Sequence, residues 1–427
     1  MSLPVFFLCL VAMLALGFPI YLALTGASLL YIALHPDLSL LLAVQRMVGA
    51  PDSFALLAVP FFILAGQIMN TGGVTDRIFR FATCLVGHFR GGLGYVNVLA
   101  SVIFAGMSGS ALADAGGLGL VELKAMRDEG YGDDFSLGVT GASSTIGPII
   151  PPSIPFVIFG AVGNVSVAGL FIGGLLPGLL MALALSAMVF LVARRRGYPV
   201  RPRASATALW AAFRHAGLAL CMPVILIGGI WGGIFTPTEA AFASILYALL
   251  VTGVVYQDLA FSHLPALVVE TLRMVAPAMC IVAGASLFGW IMNYEKVDQA
   301  LMRLLLGITS SPVVVLLIVN VVLLVLGMFL EVISVIMLVL PMLQPLVSVL
   351  GIHPIHLGVV MVLNLMIGLL TPPVGFVLYI LAAISGRDLG YVVRAVLPWI
   401  LPLLAALLLI TLFPELVLFL PRLTGFA

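Results

Sequence analysis

Charge is what this chain has least of. Asp, Glu, Lys and Arg together make up 8% of its 427 residues, against about 25% in ordinary soluble domains. With 63% hydrophobic residues and a mean hydropathy of +1.28, the composition excludes a water-solvated globule and calls for lipid. No hydrophilic stretch is long enough to form a separate soluble domain. The net charge of +1 names no partner, and without a basic patch interleaved with aromatics nucleic acid is not expected. The four cysteines (Cys9, Cys84, Cys221, Cys280) lie far apart with no CxxC or Cys/His spacing, so they read as packing residues. HExxH, Walker A and paired aspartates on aligned helices are all missing, and the six histidines fall in loops or near segment ends. The N-terminus lacks the basic region of a secretory signal. Its apolar character continues to Leu34, so a retained first helix is expected from Leu3 to Leu34, bent near Gly17-Phe18-Pro19.

Apolar runs long enough to span, about 20 residues each, recur from end to end. One of them is interrupted by Ser143-Ser144-Thr145-Ile146-Gly147-Pro148-Ile149-Ile150-Pro151-Pro152-Ser153-Ile154-Pro155. Proline removes a helical N–H and clashes with the preceding turn, so a helix entering this stretch must open. In hydrocarbon an unpaired backbone group costs several kcal/mol, and opened backbone survives only inside protein or beside water. Half-helices meeting at a break aim bare carbonyls and dipole ends at one point, as in many secondary transporters. A proline kink without a ligand is the plainer alternative. A second copy, Leu369-Leu370-Thr371-Pro372-Pro373-Val374-Gly375, weighs against it.

Each break follows a second irregular feature. Gly94–Ala105 and the residues after Asp114 are too short to span, and between them lies Gly106-Met107-Ser108-Gly109-Ser110. Five glycines (106, 109, 116, 117, 119) disfavour one continuous helix. The pattern predicts a re-entrant hairpin with its tip at Ser108–Ser110. In the second half the corresponding arms are Pro312–Leu326 and Val332–Leu350, around Gly327–Glu331. The broken helices are expected over Phe135–Gly163 and Leu357–Gly386, with full spans over Val167–Ala193 and from Tyr391 to about Leu420. The halves also match elsewhere: Ala27-Ser28-Leu29-Leu30-Tyr31 with Ala243-Ser244-Ile245-Leu246-Tyr247, and Pro60 with Ala65-Gly66 against Pro277 with Ala283-Gly284. Offsets of about 216 to about 221 residues recur in order. The fold class predicted is an all-α polytopic membrane protein of two structural repeats, residues 1–195 and 215–427. Between them lies a basic linker, 196–214. Arg194-Arg195-Arg196, Arg201, Arg203 and Arg214 have no acidic residue among them, which places this linker in the cytoplasm. An odd number of crossings per half would make the repeats inverted.

Sodium takes hard oxygen ligands, which broken helices supply as carbonyls and hydroxyls. In the first half the candidates are Ser143, Ser144, Thr145, Pro148 and Asp114; in the second they are Glu331, Asn364, Gly368, Thr371 and Pro372. The tip residues Ser108, Gly109 and Ser110, with Pro151, Pro152 and Pro373, are the candidate substrate contacts. A hydroxyl bonded back to its own helix turn competes with ligation at every serine or threonine here. Asp114 and Glu331 interrupt apolar sequence, where a carboxylate costs about 2.5–3.5 kcal/mol, so each is a functional candidate. Glu239, in Thr236-Pro237-Thr238-Glu239, fits a capping box better than a ligand. No Lys or Arg lies within either break or tip. A carboxylate substrate would therefore be held by bound sodium, helix N-termini and backbone amides. Gly106-Met107-Ser108-Gly109 also spells the GxSG of an intramembrane serine protease, but no histidine is placed deep in an apolar run to act as base. A passive anion channel is the other alternative.

Four segments carry a resemblance that covers nearly the whole chain: Gly109–Asp114, Ala142–Pro155, Phe235–Ala241 and Asn364–Gly375. In these the chain resembles the large membrane subunit of the tripartite ATP-independent periplasmic (TRAP) transporters. The resemblance implies Na+-coupled import of an organic acid (a dicarboxylate, sialic acid or another sugar acid) across the bacterial inner membrane. It implies two partners, a small four-span membrane subunit and a periplasmic substrate-binding protein. The small subunit is expected as a separate chain, since no further run of spans precedes Leu3 or follows Leu420. It also implies an elevator mechanism. A transport domain of about 94–165 and 312–387 would slide on a scaffold of the remaining spans, with interfacial helices near 74–89 and 259–273.

Overall fold

The computed structural model describes residues 2–198 and 200–426. Among these the chain is helical throughout, without strands, and eight helices are long and apolar enough to cross a membrane.

Both predicted irregular features form in both halves. The first hairpin rises as Gly92–Ser108, turns at Gly109 in the left-handed region (φ 59°), and descends through Ala111–Ala113, a π-turn at Asp114–Leu118, and Gly119–Asp128. Glycines 116, 117 and 119 fall in and just after the wide π-turn, where weak helix propensity makes loosening cheap. The first broken helix comprises Asp133–Ser144 and Ile154–Gly163. The second hairpin pairs Pro312–Phe329 with Val332–Leu350, and the second broken helix pairs Pro354–Gly368 with Phe376–Ser385. Both breaks contain a cis prolyl bond, Pro151–Pro152 and Pro372–Pro373.

The halves pack reciprocally. Ala58–Thr71 lies on Pro237–Leu249, and their repeat-mates, Leu264–Tyr294 and Ile20–Ala33, lie on each other. Each broken helix sends its second segment to the opposite hairpin. Gln344 donates to the Gly163 carbonyl (2.8 Å), while Ile380 reaches Gly116 in the first hairpin. At one end of the molecule Asp133 clasps the halves together. It accepts from Arg127 (2.8 Å) and from Arg387 (2.6 Å), and Arg127 also donates to the Ser385 carbonyl (2.8 Å).

Three expectations are corrected. The single first helix is instead two short antiparallel helices, Leu3–Ala15 and Ile20–Ala33. Phe6 packs edge-on against Tyr31 and Met13 against Gly26, which only a chain folded back on itself allows. At 13 and 14 residues each reaches about 20 Å, short of the ~30 Å of a hydrocarbon core. Residues 259–273 do not form a separate helix; from residue 264 they begin the 31-residue helix Leu264–Tyr294. The amphipathic helix equivalent to Val74–Val86 is Val297–Ile308. Finally, the last span stops at Leu412, because Phe413-Pro414 breaks it, and Glu415–Leu423 turns back onto Val167–Arg196.

Candidate functional site

Each break is docked on its own hairpin tip by the same backbone bond. Ile154 N–H donates to the Gly109 carbonyl (3.5 Å), and Val374 N–H donates to the Met328 carbonyl (3.2 Å). Only glycine fits at 109, since a side chain there would strike the Pro152 carbonyl at 2.7 Å. In the second half the glycines themselves touch: a methyl group on Gly368 would lie 2.7 Å from the Gly327 backbone.

The first break is wholly buried. Three of its hydroxyls bond locally: Ser144 to the Gly141 carbonyl (2.8 Å), Thr145 to the Ala142 carbonyl (2.6 Å), and Ser153 to the Pro148 carbonyl. Donating the O–H in this way leaves the oxygen lone pairs of Ser144 and Thr145 free to face a cation. The Pro148 carbonyl, by contrast, already spends one lone pair on Ser153. Ser143 is drawn away to Asn97, whose Oδ1 it reaches at 2.6 Å. Pro151 and Pro152 are buried and line a small apolar pocket with Phe62, Phe171 and Leu226.

Asp114 is the residue that gives this break its electrostatics. It is 1% exposed. Its Oδ1 takes a long bond from Ser101 (3.5 Å), and its Oδ2 has no hydrogen-bond partner among the described residues. That oxygen faces the break: a methyl group on Gly147 would sit 3.7 Å from it, 3.6 Å from the Ser110 carbonyl and 3.3 Å from the Ser144 carbonyl. A buried, unpaired carboxylate oxygen is costly. Here it converges with two carbonyls at the C-terminal end of a half-helix, where the dipole favours positive charge. The residues fit a small hard cation bound through oxygen. Glu122, also 1% exposed and with an unpartnered Oε1, lies within electrostatic reach of Asp114 on the hairpin's second arm.

The second break is more open. Thr371 and Pro372 are half-buried and Pro373 is exposed. Thr371 bonds back to the Ile367 carbonyl (2.8 Å), again keeping its lone pairs. Asn364 is fully buried; it donates to the Asn320 side chain and carbonyl (both 2.9 Å) and keeps its own Oδ1 unpartnered. Glu331 caps Val332–Leu350, half-buried, without a side-chain capping bond or a bond to Asn364 or Thr371.

Sequence reasoning passed over Asn97 and Asn320. Asn97 accepts from Ser143 and donates to Thr140 (2.7 Å), while Asn320 accepts from Asn364 and donates to Thr411 (2.8 Å). They are repeat-mates that tie the first arm of each hairpin to its broken helix. The repeated tripeptide Val96-Asn97-Val98 and Val319-Asn320-Val321 was the available signal.

Beside the first tip lies a cavity of about 300 Å³, closed by Ser108 and Ser110 on one side and by Gln67, Asn70 and Thr71 on the other. Ser108 is 5% exposed, and its hydroxyl has no partner among the described residues, so no base is in place to take its proton. Ser110 caps the descending arm at Ala113 (3.4 Å). Gly66 gives passage to the tip, its Cα facing the Met107 carbonyl. Thr236 and Glu239 form both bonds of the expected capping box, away from the breaks. All four cysteines are free.

Comparison with known proteins agrees with this architecture. Residues 7–416 match the model of the DctM component of the tripartite ATP-independent periplasmic transporters. The chain is 46% identical to the sialic acid TRAP transporter large permease protein SiaM of Vibrio cholerae, over 95% of both chains. It is 39% identical to the C4-dicarboxylate TRAP transporter large permease protein DctM of Pseudomonas aeruginosa, over 95% of this chain and 94% of that one. Among solved structures it shares the fold of the YdaH transporter of Alcanivorax borkumensis (TM-score 0.63, 15% identity, 92% and 96% of the two chains). The chain belongs to the large permease (DctM) family of TRAP transporters.

Proposed function

We propose that this permease imports a small organic acid across the bacterial inner membrane, coupled to Na+. A periplasmic binding protein delivers the substrate, and a small four-span subunit completes the membrane complex. The observation that carries the reading is the pair of breaks, each docked on a hairpin tip and free of Lys and Arg, with the Asp114 Oδ2 facing one of them. Asp114, Ser144 and Thr145 form one sodium-binding region. Thr371, Asn364, Gly368 and Pro372 form the other, with Glu331 at its tip. Once occupied, the two regions give the tips a positive field to which a carboxylate binds. Each Na+ entering down 100 mV releases about 2.3 kcal/mol, and a tenfold gradient adds about 1.4 kcal/mol.

The repeats are read as inverted, and transport as an elevator motion of the hairpins and broken helices against a scaffold. Val167–Arg196 and Ile400–Leu412 pack on the broken helices, so the moving body takes them in as well. Ala58–Thr71 and Pro237–Leu249 pack mainly on each other, and Leu264–Tyr294 packs on the N-terminal hairpin on one side and on Val332–Leu350 on the other, so it would form the face of a static frame against which the second hairpin moves. The test is uptake of labelled organic acids into proteoliposomes holding both membrane subunits. Uptake should require both the binding protein and an inward Na+ gradient. Equal uptake in Na+-free buffer would refute the coupling.

A further inference from the structure

We infer that Glu270 makes the cavity at the first hairpin tip select a hydroxylated monocarboxylate over a dicarboxylate. This rests on the transport reading above and names the substrate class within it. At about 300 Å³ the cavity sits at the small end of the ~300–1,000 Å³ typical of ligand sites. Two bodies wall it, and they differ in chemistry.

The hairpin side offers neutral hydroxyls. Ser108 is buried and makes no hydrogen bond among the described residues, so its hydroxyl is available to a ligand. The opposite wall offers amides whose other ends are already engaged. Gln67 spends its Nε2 on the Met274 sulfur (2.9 Å), which leaves its carbonyl oxygen; Asn70 spends its Oδ1 on the Thr75 hydroxyl (2.7 Å), which leaves its Nδ2. Such a set of alternating donors and acceptors suits the hydroxyls of a polyol.

Glu270, exposed at the rim of the cavity, is the one charged residue in its lining. It forms no salt bridge among the described residues. Arg273, one turn further along the same helix, does not reach the cavity. A substrate carboxylate held at the sodium-loaded tip therefore leaves its remaining groups facing an uncompensated carboxylate. Hydroxyl groups there donate to Glu270. A second carboxylate is repelled, and like charges a few ångströms apart in a partly screened site change affinity by about tenfold.

The binding protein has its own selectivity, so the test leaves it out. The solubilised complex of both membrane subunits is titrated in NaCl with sialic acid and, separately, with succinate, and the shift in Tm gives each apparent affinity. Wild type should favour sialic acid. Glu270→Gln should narrow that preference about tenfold, mainly by tightening succinate, and Glu270→Lys should narrow it further. An unchanged ratio in both variants, each still stabilised by Na+ as wild type is, would overturn the role of Glu270. So would a wild-type preference for succinate. Binding of neither acid in NaCl would instead overturn the transport-site reading, and this inference with it.

Discussion

Gly147→Ala separates ion binding from folding more cleanly than removing any ligand does. Gly147 is not in the left-handed region, so alanine meets no backbone penalty. Its methyl group would meet nothing closer than the Ser144 carbonyl at 3.3 Å, which has to yield by a few tenths of an ångström. The gain from a stiffer unfolded chain, about 0.4–1 kcal/mol, offsets most of that strain. Fold stability in K+ should stay within about 1 kcal/mol of wild type. The methyl nevertheless occupies the space where Ser110 O, Ser144 O and Asp114 Oδ2 converge. Depriving a buried carboxylate of its counter-charge costs about 3–5 kcal/mol, so Na+ affinity should fall at least ~100-fold. The assay is Tm of the purified protein against NaCl at constant ionic strength. Ligand at a hundred times its Kd stabilises by about 2.7 kcal/mol, so wild type should rise with Na+ over a range in which the variant stays nearly flat. A variant that matches wild type across the titration would remove Asp114 and Gly147 from the ion site.

Three further outcomes follow from contacts already described. Gly368→Ala should lower Tm by several degrees in any salt, because its methyl meets Gly327 backbone atoms at 2.7 Å and neither chain can swing aside. Asn320→Ala should cost about 1–3 kcal/mol by removing the Oδ1 acceptor of the buried Asn364 amide, which keeps only its bond to the residue 320 carbonyl, and it should raise the Na+ needed for half-maximal uptake, as should Thr371→Ala; unchanged Na+ dependence in both would exclude this region as an ion site. The Arg127 hydrogen bond, and after it Arg387, hold the Asp133 carboxyl below the usual carboxylate range, against partial burial. A depressed folded-state pKa stabilises above the unfolded value near 3.9 and loses that benefit as pH falls. Wild type should therefore exceed Asp133→Asn in urea stability by a constant margin from pH 8 to about pH 5, and the margin should close on further acidification; a margin that grows at low pH would contradict the ion-pair assignment.

The hairpins and breaks were legible because they violate the rule that governs the rest of the chain. In sequence where nearly everything suits a helix in lipid, Gly109 and Pro151-Pro152 stand out without any structure. Features that obey the rule were invisible. Leu3–Leu34 is uniformly apolar, and only the packing of Phe6 on Tyr31 reveals that Gly17 and Pro19 reverse the chain rather than bend it. Glu122 stands first in a run of charges with Lys124, Arg127, Asp128 and Glu129, a pattern that in sequence reads as a surface loop. The descending arm runs on to Asp128, and its geometry turns Glu122 inward while the others stay at the rim. Asn97 and Asn320 sit in the middle of apolar arms, and their pairing with Ser143 and Asn364 depends on how the arms dock, which no local pattern records.

The two breaks are equivalent in their backbone and unequal in their charge. The bond from Ile154 to Gly109 has its counterpart in that from Val374 to Met328, and Asn97 with Ser143 has its counterpart in Asn320 with Asn364. The acid repeats in kind but not in place: Asp114 lies buried four residues beyond Ser110, whereas Glu331 sits half-buried at the cap itself. An anionic substrate approaching the first tip with Asp114 bare meets repulsion of about 2 kcal/mol at ~7 Å and an effective dielectric near 20. With a cation seated against Oδ2 that repulsion is cancelled, and the tip dipoles turn the balance to attraction. On this reading the carboxylate does more than hold the ion: it keeps the empty permease from binding substrate, so that an organic acid cannot be carried without sodium. That role requires one buried acid close to the substrate.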